Sequence, residues 1–153
     1  MLNEKKFKKH INLKNIRSTL KLGEDISKIS NICKIFCIKG KLGTGKTTLA
    51  KGFISNLTGI KNVLSPTFPM LLTYESNKIY ICHYDLYRLK NIEDVWNINL
   101  EDSLNNAIVI IEWPEIIENI LPKDRVTITI KDKTLNSRTA ILEGNRKFID
   151  LIH

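Results

Sequence analysis

Long hydrophobic runs are missing from this sequence. The longest is "AIVII" at 107–111, far short of the roughly 20 residues a membrane-spanning helix needs. The basic N-terminus, "MLNEKKFKKHINLKNIRSTL", contains no apolar core of the kind a secretory signal carries. The expected compartment is therefore the cytosol. Cysteine is scarce. Cys33, Cys37 and Cys82 are odd in number and unpaired in spacing, which excludes a disulfide framework and points to reduced thiols. A zinc site built from them with His83 would lack the C-x-x-C hallmark and is set aside. With 4 prolines, no repeat and no low-complexity linker, 153 residues make one domain, 1–153. Acidic residues are the minority, 16 against 24 basic, leaving a net charge of +8. That excess suits RNA, acidic proteins or polyphosphates. An A/T-rich coding bias toward Lys, Asn and Ile produces the same excess.

What is present is an ordered succession of short elements. Residues 6–12 read as an edge strand. Ile16, Leu20 and Ile26 mark an amphipathic helix in which Gly23 is a flaw. "KIFCIKG" is a buried strand, and Leu49, Phe53, Ile54 and Leu57 share one face of the helix that follows, which Gly59 ends. "SPTFP", with two prolines, is irregular. "MLLTYES" and "KIYICHYD" are strands joined by a turn at Ser76-Asn77. "NIEDVWNINLEDSLNN" gives two short helices, in which Trp96 is expected to face the core. "AIVIIEW" has the continuous apolar character of a buried parallel strand. Pro114 suits the first turn of a helix after it. "RVTITIK" and "RTAILEG" form an antiparallel pair, and "RKFIDLIH" a terminal helix. The expected fold is α/β, a mixed sheet with a parallel centre and an antiparallel extension, flanked by helices.

One stretch carries chemistry. "GKLGTGKT" at 40–47 fits G-x-x-x-x-G-K-[ST]. A phosphate chain is best held by converging backbone N–H groups, and side chains at Gly43 and Gly45 would obstruct them. The helix that begins near Lys46 aims its positive dipole end at the anion. Lys46 neutralises the β and γ phosphates, and the Thr47 hydroxyl is suited to Mg²⁺. The stretch Lys41, Leu42, Gly43, Thr44, Gly45, Lys46, Thr47 and Thr48 is thus the expected nucleotide contact. A buried strand before it and an amphipathic helix after it supply the right context.

Mg²⁺ also needs an acid at the end of a neighbouring strand. Glu112, closing "AIVIIE", is the better metal partner, acting directly or through water. Asp85, after "IYICHY", is the second candidate. Thr67 in "SPTF" has a hydroxyl placed to sense γ-phosphate and metal, as switch segments do. Trp113 is a stacking surface, a partner contact or core. His83 is either a base or a core histidine.

Together these motifs resemble the TsaE (YjeE) family of small P-loop ATPases, which serve in making threonylcarbamoyladenosine in tRNA. The resemblance rests on "GKLGTGKTTL" at 40–49, "SPTF" at 65–68, "HYDLYRL" at 83–89 and "EWPE" at 112–115. It implies ATP and Mg²⁺ as cofactors, with Lys46 on phosphate and Thr47 and Glu112 at the metal. Thr67, Asp85 and Trp113 match the family's other activity-linked positions. "STLKLGEDI" resembles a T-x-x-L-G segment that would put Thr19 near the nucleotide base. The resemblance also implies TsaD and TsaB as partners. These carry the transfer to the adenosine 3′ of the anticodon, while the ATPase resets their complex. Contact with tRNA would be direct or indirect. Two positions depart from the family pattern: Lys41 replaces a usual Asp, and Asn99 a common Gly.

Two other functions compete. A small-molecule or nucleotide kinase needs an Arg-rich lid, but Arg88, Arg125, Arg138 and Arg146 are not clustered. A nucleotide-gated RNA-binding module would show stacking aromatics in a recognition motif, and none is present.

Overall fold

Strands that are apolar at successive positions must be covered on both faces, and here they take the middle of the sheet. β2 (Ile35–Lys39) and β5 (Ile108–Glu112) are buried almost throughout. The computed structural model describes residues 5–153. It adds β1 (Phe7–Leu13), β3 (Leu71–Ser76), β4 (Ile79–Asp85), β6 (Val126–Asp132) and β7 (Arg138–Gly144). The strand order is β1-β7-β6-β2-β5-β4-β3. The four central strands, β6, β2, β5 and β4, run parallel, and β7, β1 and β3 pair antiparallel at the two sides. The sheet is therefore mixed with a parallel centre, as expected. The edge strand β1 alternates half-buried and exposed positions until Leu13.

Alternation along each strand divides the core in two. Phe36, Ile38, Ile110 and Ile128 face α1 (Ile16–Ser27), α2 (Lys46–Thr58) and α4 (Arg146–Ile149). Phe36 meets Phe53 of α2 edge to face, centroids 4.8 Å apart. Cys37, Val109, Ile111 and Tyr84 face the other way. There they are covered by two 3-10 segments, Ile92–Ile98 and Pro114–Ile120, and by α3 (Leu100–Asn106). Cys33 belongs to the first core, Cys37 and Cys82 to the second, so the three thiols cannot share one ion across the sheet. Burial pushes the Cys33 thiol up to about 11 and that of Cys37 up to about 12, which keeps both protonated and inert.

Several local expectations need correcting. Ile16 is 73% exposed, and α1 buries Thr19, Leu22, Gly23 and Ile26 instead. Gly23 is no flaw. A Cβ there would stand 2.1 Å from the Leu49 carbonyl oxygen, and one at Gly52 would stand 2.2 Å from that of Leu20. Each helix presses its backbone onto the other at a glycine, and this contact sets the rotation of α1. Trp96 is 53% exposed rather than core, because Val95 occupies the inward position of its 3-10 segment. The β3–β4 turn lies at Asn77-Lys78, one residue later than expected, with Asn77 at φ 54°. The segment after Pro114 is 3-10, and the terminal helix is a single turn. Asn99 has φ 55°, ψ 33°. Asparagine tolerates this left-handed region better than other side-chain-bearing residues, which explains why it can stand where glycine is common.

The crossing predicts an outcome opposite to helix propensity. Alanine in place of glycine favours an isolated helix by about 1 kcal/mol. In Gly23→Ala or Gly52→Ala the added methyl meets backbone that cannot rotate away, an overpacking cost of about 1–3 kcal/mol. Urea denaturation should show both variants less stable than the parent chain. A gain in stability would mean that the two helices are not in backbone contact.

Candidate functional site

The carboxyl ends of the parallel strands are where this sheet gathers its polar residues. β2 ends at Lys39, and the loop 40–45 turns the chain into α2. The turn requires left-handed backbone at Gly43 (φ 79°) and at Gly45 (φ 104°), the residue that precedes the first turn of α2. Gly45 provides no side-chain cap, so the first N–H groups of α2 remain directed out of the helix. Gly40 is hemmed in sterically: a Cβ would stand 2.5 Å from Thr44 Oγ1 and 2.7 Å from the Ile130 carbonyl oxygen.

Lys46 is buried, and its ammonium donates to the carbonyls of Gly40 and Lys41, each at 2.7 Å. It also lies 4.2 Å from the Trp113 ring centroid. Burial pushes its pKa below the ordinary lysine value, while Glu112, Asp85 and Glu115 oppose that fall. A buried cation at the start of a helix whose first N–H groups are uncapped is suited to an anionic ligand.

β4 and β5 lie side by side in parallel, with Asp85 paired to Glu112. Alternation sends His83, Asp85 and Glu112 to the face that carries α2. The Thr47 hydroxyl donates to Glu112 Oε1 at 2.8 Å. Glu112 Oε2 lies 2.7 Å from His83 Nε2. Thr67 donates to Asp85 Oδ2 at 3.0 Å, and the Tyr87 backbone N–H to Asp85 Oδ1 at 3.0 Å. Ser65 Oγ lies 2.9 Å from Thr67 Oγ1. Arg88 donates to the Phe68 carbonyl and sits over its ring. Trp113, at φ 56°, packs against Tyr87 with centroids 4.8 Å apart.

The structure thus brings Lys46, Thr47, Thr67, Asp85, Glu112 and Trp113 into one cluster. Lys41, Leu42 and Gly43 are exposed on the loop's outer side, and Thr44 is buried with its hydroxyl on the Lys41 carbonyl. Thr48 is half-buried in the first turn of α2. Thr19 is buried behind the loop, its methyl 3.6 Å from where a Cβ on Gly45 would stand. The sequence motifs "HYDLYRL" and "SPTF" contain Tyr87 and Ser65 without singling them out, and Arg88 enters the sequence reading only as an unclustered arginine. The sequence leaves His83 open between base and core, and no spacing rule shows that it touches Glu112. Two surface hollows, of about 460 and 830 Å³, contain none of the cluster.

The residues fit a divalent cation with a phosphate chain. A hydroxyl and a carboxylate, 2.8 Å apart, stand beside a loop in which nothing lies within 4 Å of where a Cβ on Gly43 would be. Hard oxygen donors of this kind suit Mg²⁺.

A model of the family described as "Threonylcarbamoyl adenosine biosynthesis protein TsaE" matches residues 13–140. The tRNA threonylcarbamoyladenosine biosynthesis protein TsaE of Rickettsia felis is 33% identical over 141 residues, 92% of this chain and 82% of the relative. Its counterpart in Bacillus subtilis is 32% identical over 115 residues, 73% of this chain and 72% of the relative. A crystal structure of Bacillus subtilis YdiB superposes with a TM-score of 0.74 at 21% identity, covering 96% of this chain and 93% of that one, a likeness of fold. Within that fold, with matching residues running from Leu13 at the end of β1 to Ala140 in β7, the chain belongs to the TsaE family of tRNA threonylcarbamoyladenosine biosynthesis proteins.

Proposed function

We propose that this TsaE-family chain binds ATP with Mg²⁺ and hydrolyses it slowly, in the service of a TsaD–TsaB complex that modifies tRNA adenosine 37. The observation that carries the reading is the contact of Thr47 with Glu112 at the foot of a glycine loop containing Lys46. In this reading the loop amides from Gly43 to Thr48 hold the phosphates and Lys46 neutralises the β and γ charges. Thr47 and Glu112 hold Mg²⁺, which when bound draws charge from the phosphate oxygens. Asp85 orients a water or the 65–68 segment, and Thr67 reports the occupied state to that segment. Trp113 shields Lys46 from solvent and offers a ring face beside the phosphates. Among the described residues, no arginine contacts the glycine loop or the two acids through a hydrogen bond or ion pair. Partner docking is therefore expected to supply missing transition-state stabilisation or order the switch. Such help is worth factors of roughly 10³–10⁵ in related NTPases.

Four measurements test this. Lys46→Ala should abolish hydrolysis and weaken nucleotide binding, because the β/γ charge loses a charged hydrogen-bond donor worth about 1.5–3 kcal/mol. Unchanged turnover in the purified variant would end the reading. Glu112→Gln should raise the Mg²⁺ concentration needed for activity, whereas Asp85→Asn should slow turnover with a smaller change in Mg²⁺ demand. The reverse pattern in metal titrations would exchange the two roles. Thr67→Ala should reduce the coupling between nucleotide binding and TsaD–TsaB docking more than it reduces nucleotide affinity in the free chain. Labelled ATP, followed with and without the partners, separates transfer to water from transfer to an acceptor. Phosphate reaching a small-molecule acceptor would make the chain a kinase instead.

A further inference from the structure

His83 sits in the middle of β4 with no exposed surface, one alternation step below Asp85 and paired with Ile110 of β5. Its same-face neighbours along the strands, Ile81 and Ile110, are core residues. A histidine in such a place needs a reason. Its Nδ1 is buried and, among the described residues, has no hydrogen-bond partner. A branched aliphatic side chain would fill the position without that orphaned atom. The other ring nitrogen supplies the reason, since Nε2 lies 2.7 Å from Glu112 Oε2.

With the Glu112 carboxylate ionised, Nε2–H donates a hydrogen bond to Oε2, which assigns the tautomer and leaves Nδ1 as the bare acceptor. The carboxylate is then held at one oxygen by a ring that has no room to move. Its other oxygen, Oε1, faces Thr47 at 2.8 Å. The strand ends at Glu112, and the next residue, Trp113, is left-handed, so the backbone alone does not hold the carboxylate's orientation. Thr47 is no substitute as an anchor, because its hydroxyl is the group that a cation would engage.

We propose that His83 is the positioning residue of the metal side of this site, fixing Glu112 so that Oε1 alone is presented toward Thr47 and Mg²⁺. This rests on the nucleotide and Mg²⁺ reading above. His83 does not touch the ligand and acts only through Glu112. Histidine–carboxylate contacts in the outer shell of metal sites typically change metal affinity or activity by about 10–100-fold when lost.

The test is calorimetric and needs no turnover. A non-hydrolysable ATP analogue is titrated into the full chain in excess MgCl₂ and again in EDTA. For the wild type, the ratio of the two affinities measures the Mg²⁺ contribution. His83→Leu and His83→Asn, whose side chains present no donor at the Nε2 position, should lose about tenfold or more of that ratio. Their EDTA affinities should stay near that of the wild type. His83→Gln, whose amide nitrogen reaches the Nε2 position, should restore the ratio. If the leucine variant does not fold, the asparagine and glutamine pair decides. Equal losses in MgCl₂ and EDTA, or no rescue by glutamine, would overturn the proposal and leave His83 a structural residue. A wild type with no Mg²⁺-dependent binding would overturn the nucleotide reading itself, an outcome distinct from failure of the histidine variants.

Discussion

The Glu112 carboxylate, 1% exposed, imposes the tightest requirement on this molecule. A charge taken so far from water is tolerated only when both oxygens have partners. Here one partner comes from the start of α2 and the other from the middle of β4. Both oxygens are satisfied only when β4 and β5 pair in their observed register and β2 delivers α2 at its observed height. A one-residue slip of β4 would turn His83 and Asp85 to the opposite face. It would strand both there among the apolar residues of the second core. The register of the sheet centre and the geometry of the polar cluster are therefore one constraint.

Around that fixed centre the backbone departs from relaxed conformations. Met70 (φ 63°) and Trp113 (φ 56°) are left-handed without being glycine or asparagine, and both adjoin the cluster. Such conformations persist only where surrounding contacts over-determine them. At Trp113 the contacts are the Ile38 carbonyl, which accepts its N–H at 3.2 Å, and the Tyr87 ring and Lys46 ammonium about its side chain. At Met70 the carbonyl accepts the Asp85 N–H at 2.9 Å. The 65–70 segment is thus tied to Asp85 through both a backbone and a side-chain bond.

Much of this is legible in the amino-acid sequence. The glycine loop, the two strand-end acids and "SPTF" have local signatures because each must satisfy backbone or charge requirements within a few residues. The parallel centre was legible in the uninterrupted apolar character of β2 and β5. What sequence could not show depends on which surfaces meet. Trp96 looked like core because a large aromatic in a helix usually is, but a 3-10 segment has a different period and Val95 took the inward place. Ile16 looked buried because its spacing was counted from Leu20 and Ile26, whereas the rotation of α1 is set by a backbone contact that hydrophobic periodicity does not encode. His83 falls in the same class, since its meaning lies in an atom 29 residues along the chain.

The reciprocal glycine contact between α1 and α2 has a mechanical consequence. Two helices whose backbones meet at Gly23 and Gly52 have no cushion of side chains at those two points, which restrains each from rolling or sliding independently of the other. Thr19, one turn before Gly23, abuts the loop at Gly45, so the stiff pair ends directly against the glycine-loop turn. A load applied to the solvent face of α1, where Ile16 and Arg17 project, has no soft layer in which to dissipate before it reaches the residues that begin α2.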